Sequence, residues 1–354
     1  MKAVRVNRYG GPEVLEYGDF PMPSVEDHEV LVRVLATTVS RYDIKFRKGE
    51  IKDIKTLPGR TPLHLPWQPG RDAVGIVEAV GQSVKMFKAG DRVVGLTMPA
   101  NPASPMTMRG LSNLSTGADL PGHAMFGGSA QFVARPESYW LHLPATVKPE
   151  AAAAAMWAYT TSHRIMTSRL EAKVGDTVLV VGGTGGMGSA TLDIARAMGV
   201  RTIAVTRSQS KVDLLKSFGA SETLVIPDDQ IIGKIRALAG GMGVDGFVDF
   251  SASADMMRLG LETVRPGGTL VISSHVETGP QLPIFAYDCV RLELNIKGVR
   301  GATLHDQMMV LKLLENGVIH PKIHAVMPLS EIAKAHELME NDCVSGRIVL
   351  DPWA

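Results

Sequence analysis

The sequence predicts an α/β protein that combines a small β-barrel with a doubly wound parallel sheet. The first part of the chain consists of short alternating strands separated by glycine and proline, which is typical of a barrel. From residue 174 onward, apolar strand-like runs alternate with helix-like segments, as in a parallel sheet with right-handed crossovers. A glycine-rich turn at 183–188 lies inside this second pattern.

Length and composition narrow the class of protein. A chain of 354 residues is long enough for two domains, and its net charge of +1 argues against a nucleic-acid partner. No apolar run approaches the ~20 residues of a membrane span, and Met1–Val4 leads into strand-like sequence rather than a signal peptide. We therefore expect a cytoplasmic protein with no membrane contact.

The first elements in chain order fit the barrel. Residues 29–34 alternate between apolar and polar side chains, as a half-buried strand does. Residues 40–48 predict one or two helical turns, and 70–81 and 90–95 each predict a strand ended by a glycine turn. Residues 57–72 predict an irregular loop, because four prolines interrupt them, namely Pro58, Pro62, Pro66 and Pro69.

Residues 97–128 form a long insertion rich in glycine, proline, serine and methionine. This composition predicts either a floppy surface loop or a lid and oligomer contact, with the surface loop slightly favoured. Residues 129–133 return to a strand pattern, and residues 150–166 predict an alanine-rich helix that carries Trp157 and Thr161.

The glycine-rich turn carries the most specific functional signal. Thr177–Val181 is a continuous apolar and β-branched run, as expected of a buried parallel strand, and residues 189–198 have a helical apolar face. The turn between them fits G-x-G-x-x-G and comprises Gly183, Thr184, Gly185, Gly186, Met187 and Gly188. Glycines at these positions allow a tight turn, an approach of backbone N–H groups to a pyrophosphate, and close helix-on-strand packing. The motif therefore predicts dinucleotide binding.

The end of the next strand, 201–206, distinguishes the two nicotinamide cofactors. An acidic residue there binds the ribose 2′-hydroxyl of NAD(H) and repels a 2′-phosphate. Residues 206–211 contain no carboxylate, whereas Arg207 and Lys211 supply cations and Ser208 a hydroxyl. The alternative is a solvated basic loop; we predict NADP(H).

Four motifs, in this order along nearly the whole chain, resemble those of the medium-chain dehydrogenase/reductase superfamily. They are GRDAVGIVEAVGQSVKMFKAGDRVVG from residue 70, the glycine turn, RPGGTLV from residue 265 and GRIVL from residue 346. The resemblance implies a GroES-like catalytic domain at 1–157 and 303–354 and a Rossmann cofactor domain at 158–302. It also adds Thr161 to the cofactor-binding residues and implies a homodimer or homotetramer.

Zinc-bearing members of the superfamily hold a catalytic metal with three side chains, and the matching positions here carry Ser40, Arg71 and Trp157. A guanidinium has no free lone pair and an indole offers only a donor, while a catalytic zinc site needs three protein ligands. The two cysteines of the chain are also too few for the four-cysteine zinc site that relatives hold in the region of the insertion. We therefore expect no metal; a site built from histidines is the alternative.

Without zinc, hydrogen-bond donors or cations must stabilise the oxygen that becomes negative during hydride transfer. By the resemblance, Tyr42 lies where zinc enzymes place the hydroxyl that contacts the substrate oxygen, and Lys45 lies near their proton-relay histidine. Arg71 is a second candidate donor. Asp43 is a further candidate on the same stretch. The alternatives are a surface Tyr–Lys pair on a helical turn, with Asp43 as a structural hydrogen-bond partner, and an ion pair of Arg71 with Asp72. The candidate substrate pocket comprises Ser40, Trp67 and Trp157.

The resemblance implies an oxidoreductase that acts on a small carbonyl, enone or quinone substrate. The favoured hypothesis is a zinc-independent enzyme that transfers hydride from NADPH to an α,β-unsaturated carbonyl compound or a quinone. The alternatives are a metal-free NADP-dependent alcohol dehydrogenase or carbonyl reductase, and an NADPH-binding protein without turnover.

Overall fold

The computed structural model describes residues 1–50, 61, 63–251, 253–273 and 284–354, so Pro58 and Pro62 of the predicted loop lie outside the described residues. The chain divides into two compact units. Unit 1 comprises Met1–Thr160, Ala302–Val318 and Ile323–Ala354, and unit 2 comprises Thr161–Gly301 and Ile319–Lys322.

The strands, in chain order, are β1 (Lys2–Arg5), β2 (Glu16–Asp19), β3 (Glu29–Thr38), β4 (Ala73–Val80), β5 (Arg92–Gly95), β6 (Phe132–Pro136), β7 (Trp140–His142), β8 (Thr177–Val181), β9 (Arg201–Thr206), β10 (Glu222–Val225), β11 (Val244–Asp249), β12 (Val264–Ile272), β13 (Asn295–Gly298), β14 (Ile323–Pro328) and β15 (Arg347–Asp351). The α-helices are α1 (Arg41–Lys48), α2 (Pro105–Met108), α3 (Pro149–Met156), α4 (Ala158–Arg164), α5 (Gly186–Ala197), α6 (Val212–Ser217), α7 (Ile231–Leu238), α8 (Ala254–Thr263), α9 (Ala286–Arg291), α10 (Leu304–Glu315) and α11 (Ile332–Glu340). No helix in the described ranges has the length and apolar character needed to cross a membrane.

Unit 1 is built on a mostly antiparallel sheet with the order β14-β15-β3-β4-β5-β7, and β6 pairs with β3 outside this path. The long strand β3 therefore contacts β4, β6 and β15. The apolar side chains of Val30, Val32 and Val34 are fully buried, as the predicted alternation requires, but Leu31 between them is buried as well. Because β15 comes from the last residues of the chain, the sheet joins both ends of the sequence.

The insertion at 97–128 is packed, which corrects the expectation of a floppy surface loop. The backbone N–H of Thr97 donates to Oε1 of Gln307 at 2.9 Å, and Ser112 Oγ accepts from the N–H of Leu304 at 2.9 Å. Inside the insertion, hydroxyl and amide side chains bond the backbone, as when the N–H of Asn101 donates to Ser115 Oγ at 2.9 Å. Some polar side chains of the insertion thus provide hydrogen bonds that regular secondary structure would otherwise supply, while residues 108–110 are exposed.

The predicted helix over 150–166 is interrupted. α3 ends at Met156, Trp157 follows as its C-cap, and α4 continues into a π-helical turn at Ile165–Arg169. Thr160 Oγ1 donates to the carbonyl oxygen of Met156, so that a side chain contributes to the hydrogen bonding at the interruption.

Unit 2 is a six-stranded sheet with the order β10-β9-β8-β11-β12-β13, and every adjacent pair is parallel. The strand order reverses between β8 and β11. In open α/β sheets of this kind, a ligand binds beyond the carboxyl ends of the strands at such a reversal. The glycine turn follows β8 directly and therefore lies at this place.

Candidate active site and cofactor site

Helix α1 begins at a capping box. Ser40 is the N-cap, its hydroxyl donates to Asp43 Oδ2 at 2.8 Å, and its backbone N–H donates to the same oxygen at 2.8 Å. The hydroxyl of Ser40 is therefore engaged in the helix cap, and its place in a substrate pocket stays a prediction. Gly49 ends the helix in the left-handed conformation, with φ of 70°.

The far side of α1 is anchored to α11. The fully buried guanidinium of Arg47 donates to Glu340, and its Nη1 lies 3.2 Å from Nδ1 of His336. Lys48 adds a second contact to Glu340 at 2.9 Å. Burial and the Arg47 charge lower the pKa of His336 to about 3, so the imidazole is neutral and Nδ1 accepts the hydrogen bond. These contacts fix the orientation of the helix that carries Tyr42 and Lys45.

Three predicted site residues come together at the start of α1. The rings of Tyr42 and Trp157 meet edge to face, with centroids 6.1 Å apart and planes at 73°. The guanidinium carbon of Arg71 lies 4.5 Å from the Trp157 ring centroid and 5.5 Å from that of Tyr42. Tyr42 and Trp157 are half-buried, whereas Arg71 is only 6% exposed. Lys45 is half-buried on the same helix. We call Tyr42, Arg71 and Trp157 the Arg71 cluster.

The carboxylate next to this cluster is Asp43, which lies between Tyr42 and Lys45 in the sequence. Asp43 is 1% exposed, and among the described residues its Oδ1 has no hydrogen-bond partner. Burial raises the pKa of Asp43, and the hydrogen bond from Ser40 and the charge of Arg71 oppose this increase. Burial also lowers the pKa of Arg71, against the charge of Asp43. The pattern Ser40-x-x-Asp43 is also a capping-box signal in the sequence.

Asp72 does not form the ion pair with Arg71 that was the alternative interpretation. Its Oδ2 accepts from Nη2 of Arg347 at 2.8 Å and from the hydroxyl of Thr38. Among the described residues, the buried Nε of Arg71 has no hydrogen-bond partner. Arg71 is thus held by aromatic contacts and by the electrostatic field of Asp43 and Asp72.

The donor chemistry of the cluster does not fit a zinc ion. At the three ligand positions, the Ser40 hydroxyl is committed to Asp43, the Arg71 guanidinium has no lone pair and the Trp157 ring lies over that cation. Throughout the described part of the chain, no group of three His, Cys, Asp or Glu side chains could hold a metal ion.

Trp67, a predicted residue of the substrate pocket, lies in the core of unit 1. It is 1% exposed, packs edge to face against Phe46 with ring centroids 5.9 Å apart, and donates from Nε1 to the carbonyl oxygen of Gly122 at 3.1 Å. Phe46 in turn contacts Tyr42, with ring centroids 5.9 Å apart. Trp67 therefore supports the cluster through Phe46.

In unit 2, the glycine turn has the geometry of a phosphate-binding turn. A Cβ atom on Gly188 would lie 2.1 Å from the carbonyl oxygen of Gly182, so only glycine allows α5 to approach β8 this closely. Gly185 is the N-cap of α5, has no side-chain cap and is exposed. The first turn of α5 contains no acidic residue. The positive end of the helix is therefore available to an anion, which fits a pyrophosphate.

The predicted cofactor residue Thr161 lies in α4 and is 5% exposed. Its neighbour Ser162, which the sequence analysis missed, donates to the carbonyl oxygen of Met187 at 3.2 Å. Thr191 donates to Ser162 Oγ at 3.0 Å and to the same carbonyl at 3.0 Å. These bonds join α4 to the first turn of α5 and so connect Thr161 to the glycine turn.

The tip of β9 remains basic in the structure. Arg207 is exposed, Lys211 is half-buried, and neither forms an ion pair within the residues that the structure describes. The backbone N–H of Ser208 donates to Thr206 Oγ1 at 3.2 Å, and its hydroxyl lies 2.7 Å from that of Ser210. Ser208 is thus held in the turn, and the two cations face solvent without a carboxylate partner.

Two family models match the chain. The alcohol dehydrogenase GroES-like domain matches residues 26–145, and the zinc-binding dehydrogenase domain matches residues 186–316. The chain is 29% identical over 361 residues to the quinone oxidoreductase of Lama guanicoe, covering 99% of this chain and 97% of that protein. It is also 29% identical over 353 residues to an alcohol dehydrogenase of Geobacillus stearothermophilus, covering 99% and 98%.

A similar fold occurs in a crystal structure described as an NAD-dependent alcohol dehydrogenase, with a TM-score of 0.91 and 30% identity over 99% of both chains. The similarity therefore extends across both units and is not restricted to the glycine turn. It confirms the predicted α/β fold class, in which a GroES-like domain accompanies a parallel-sheet cofactor domain.

Proposed function

Because the chain belongs to the medium-chain dehydrogenase/reductase superfamily, we propose that it is a zinc-independent, NADPH-dependent reductase of an α,β-unsaturated carbonyl compound or a quinone. The oxidoreductase class follows from the family. The observation that carries the finer proposal is the Arg71 cluster. Its buried guanidinium and the Trp157 ring stand at two of the three positions that the resemblance assigns to metal ligands, and Tyr42 packs next to both.

Reduction of a conjugated double bond suits such a site. When bound, NADPH supplies the hydride, and the conjugated system moves negative charge onto the carbonyl oxygen. A zinc ion could stabilise that charge, but hydrogen-bond donors and a fixed cation can do so as well. In unit 1, the phenolic hydroxyl of Tyr42 is the proposed donor to this oxygen, and the charge of Arg71 is the proposed stabilising cation.

Lys45 is the proposed partner of Tyr42. It lies three residues after Tyr42 on α1, a spacing at which helical side chains are neighbours. An ammonium group there stabilises a phenolate and therefore assists transfer of the Tyr42 proton to the enolate.

NADPH is the proposed cofactor because Arg207 and Lys211 offer two cations to a 2′-phosphate and no carboxylate opposes it at residues 206–211. One structurally similar protein is described as NAD-dependent, so the affinities for NADPH and NADH are to be compared directly. Thr161 and the turn 183–188 are the proposed contacts for the rest of the cofactor.

The deciding experiment measures NADPH oxidation with a panel of quinones, enones, ketones and aldehydes, each with and without a chelator. We expect turnover of quinones or enones that the chelator does not change. Loss of activity on chelation would contradict the zinc-independent mechanism. Turnover of simple ketones or aldehydes alone would instead support a metal-free carbonyl reductase, an alternative favoured by the similarity to alcohol dehydrogenases.

A further inference from the structure

Unit 1 buries five charged side chains whose electrostatic interactions connect them, and their charges do not balance. Arg71 faces the carboxylate of Asp43, and Arg347 donates to Asp72 at 2.8 Å. The third guanidinium, that of Arg135, is fully buried, and none of its nitrogen atoms has a hydrogen-bond partner among the described residues. The excess positive charge therefore lies on Arg135.

The negative groups near Arg135 do not compensate it. The charges that act on this guanidinium come from Asp72 and Tyr139. Asp72 carries one negative charge, and Arg347 and the hydroxyl of Thr38 already bind it. A tyrosine hydroxyl carries no charge near neutral pH. Arg135 is thus a cation without a counter-ion in the part of unit 1 that the structure describes.

Loss of a proton does not remove this charge. Burial lowers the pKa of Arg135 to about 10, which leaves the guanidinium protonated near neutral pH. Its surroundings are apolar, because the neighbouring Trp140 belongs to a buried cluster with Val30 and Val133. A buried charge without a partner is costly, so a compensating negative charge would stabilise the folded protein at this place.

The hydrogen-bond donors at this place come from β6 and β7. The guanidinium carbon of Arg135 lies 5.3 Å from the centroid of the Trp140 ring, and Nε1 of this indole is a further buried donor without a partner among the described side chains. Glycine at position 95 in β5 admits the guanidinium, because a Cβ atom there would lie only 3.0 Å from Nη1. The two side chains thus offer N–H groups and no acceptor.

We propose that Arg135 and Trp140 hold a small monovalent anion of the size of chloride, enclosed inside unit 1. The proposal is independent of the proposed function, because it concerns the stability of unit 1 and not hydride transfer. Since the two side chains are 0% and 2% exposed, the anion enters as unit 1 folds and not through an open pocket.

The donor set favours a halide over other occupants. A water molecule brings two protons that need acceptors, and it leaves the positive charge uncompensated. A phosphate dianion exceeds the single excess charge, and a larger carboxylic acid needs an opening to solvent. A halide ion accepts several N–H groups and neutralises one guanidinium. The competing arrangement is a water molecule between Arg135 and the buried Oδ1 of Asp72.

The first test measures unfolding in urea while chloride replaces gluconate at constant ionic strength. Tryptophan fluorescence reports on unit 1, because this unit contains all four tryptophans, Trp67, Trp140, Trp157 and Trp353. We expect the equilibrium constant for unfolding to fall about tenfold for each tenfold rise in chloride above its Kd, because only the folded protein binds the anion.

Arg135→Met replaces the cation by an apolar side chain, so the dependence on chloride should disappear. Without chloride, this variant should be at least as stable as the unmodified protein, because no unpaired buried charge remains. Trp140→Phe removes one donor and should weaken chloride binding about 10-fold, which tests the site even if Arg135→Met does not fold. Arg8→Met removes an exposed arginine of unit 1 and is the matched control that should keep the full dependence.

Crystals of the unmodified protein grown in bromide locate the anion directly, since bromide scatters X-rays anomalously and water does not. We expect an anomalous peak within hydrogen-bond distance of the Arg135 guanidinium and of Nε1 of Trp140. Unfolding that is independent of chloride, as a bridging water would give, would overturn the enclosed anion. A dependence on chloride that persists in Arg135→Met, or bromide peaks at exposed side chains only, would overturn it as well.

Discussion

The ring of Tyr42 meets the ring of Trp157 edge to face, with centroids 6.1 Å apart, and the Arg71 guanidinium lies next to both rings. Because the contact involves the ring and not the hydroxyl, a phenylalanine at position 42 preserves the packing. This separates the chemical contribution of the tyrosine from its structural one.

Tyr42→Phe should therefore lower kcat by about 10²-fold if the hydroxyl is the proton donor, with little effect on stability. The measurement is steady-state NADPH oxidation with the best substrate of the panel, together with thermal unfolding. Tyr17→Phe, at an exposed tyrosine of β2, is the control. An unchanged kcat in Tyr42→Phe would remove Tyr42 from the mechanism.

Arg207→Ala should weaken NADPH binding about 10-fold or more and leave NADH binding nearly unchanged, because only NADPH carries the 2′-phosphate. Fluorescence titration with each cofactor measures both dissociation constants. Lys216→Ala, which removes an exposed cation of α6, should affect neither. Equal weakening of both cofactors would show that Arg207 does not recognise the phosphate.

Gly188→Ala should destabilise unit 2 and abolish cofactor binding, because the new Cβ would lie 2.1 Å from the carbonyl oxygen of Gly182 and would force α5 away from β8. Gly233→Ala is the matched substitution, since a Cβ there meets nothing within 4 Å and the residue lies inside α7. It should raise the free energy of unfolding by up to about 1 kcal/mol. Urea unfolding and NADPH titration of both variants check this contrast, and tight binding by Gly188→Ala would refute it.

His336 should make stability depend on pH. Its pKa is lowered from 6.5 to about 3 in the folded protein, so the unfolded chain binds an additional proton between these values. Stability should therefore fall as pH decreases from 6.5 towards 3, with a contribution of up to about 1.4 kcal/mol per pH unit.

His336→Asn retains an acceptor for Arg47 but does not titrate, so its unfolding free energy should vary less over this range. Urea unfolding at several pH values tests this prediction, with His28→Asn at an exposed site as the control. The same pH slope in His336→Asn and in the unmodified protein would contradict it.

Local sequence signals predicted the strands and the glycine turn of unit 2 closely. The strand Thr177–Val181, the strand Arg201–Thr206 and the glycine at 188 all depend on interactions between neighbours in the chain, so their patterns are visible in the sequence. Cofactor preference and the roles of individual site residues depend on contacts with ligands and not on fold, so the same local patterns do not determine them.

Unit 1 was harder to predict because its decisive contacts join residues that are distant in sequence. Arg347 reaches Asp72 across 275 residues and Arg47 reaches His336 across 289 residues, and no local pattern indicates either pair. The environments of the tryptophans were equally hard to predict. Trp157 belongs to the Arg71 cluster whereas Trp67 is in the core, and composition does not distinguish these environments.

The pairing of β3 with β15 also affects how the protein folds as it is synthesised. A ribosome releases β3 and Asp72 early, but Arg347 and β15 emerge only after nearly all of unit 2. Unit 2 can therefore complete its sheet while unit 1 still lacks a strand and the cation that neutralises Asp72. In a nascent chain stopped before residue 347, we expect the sheet of unit 2 to be protected from proteolysis and unit 1 to be susceptible.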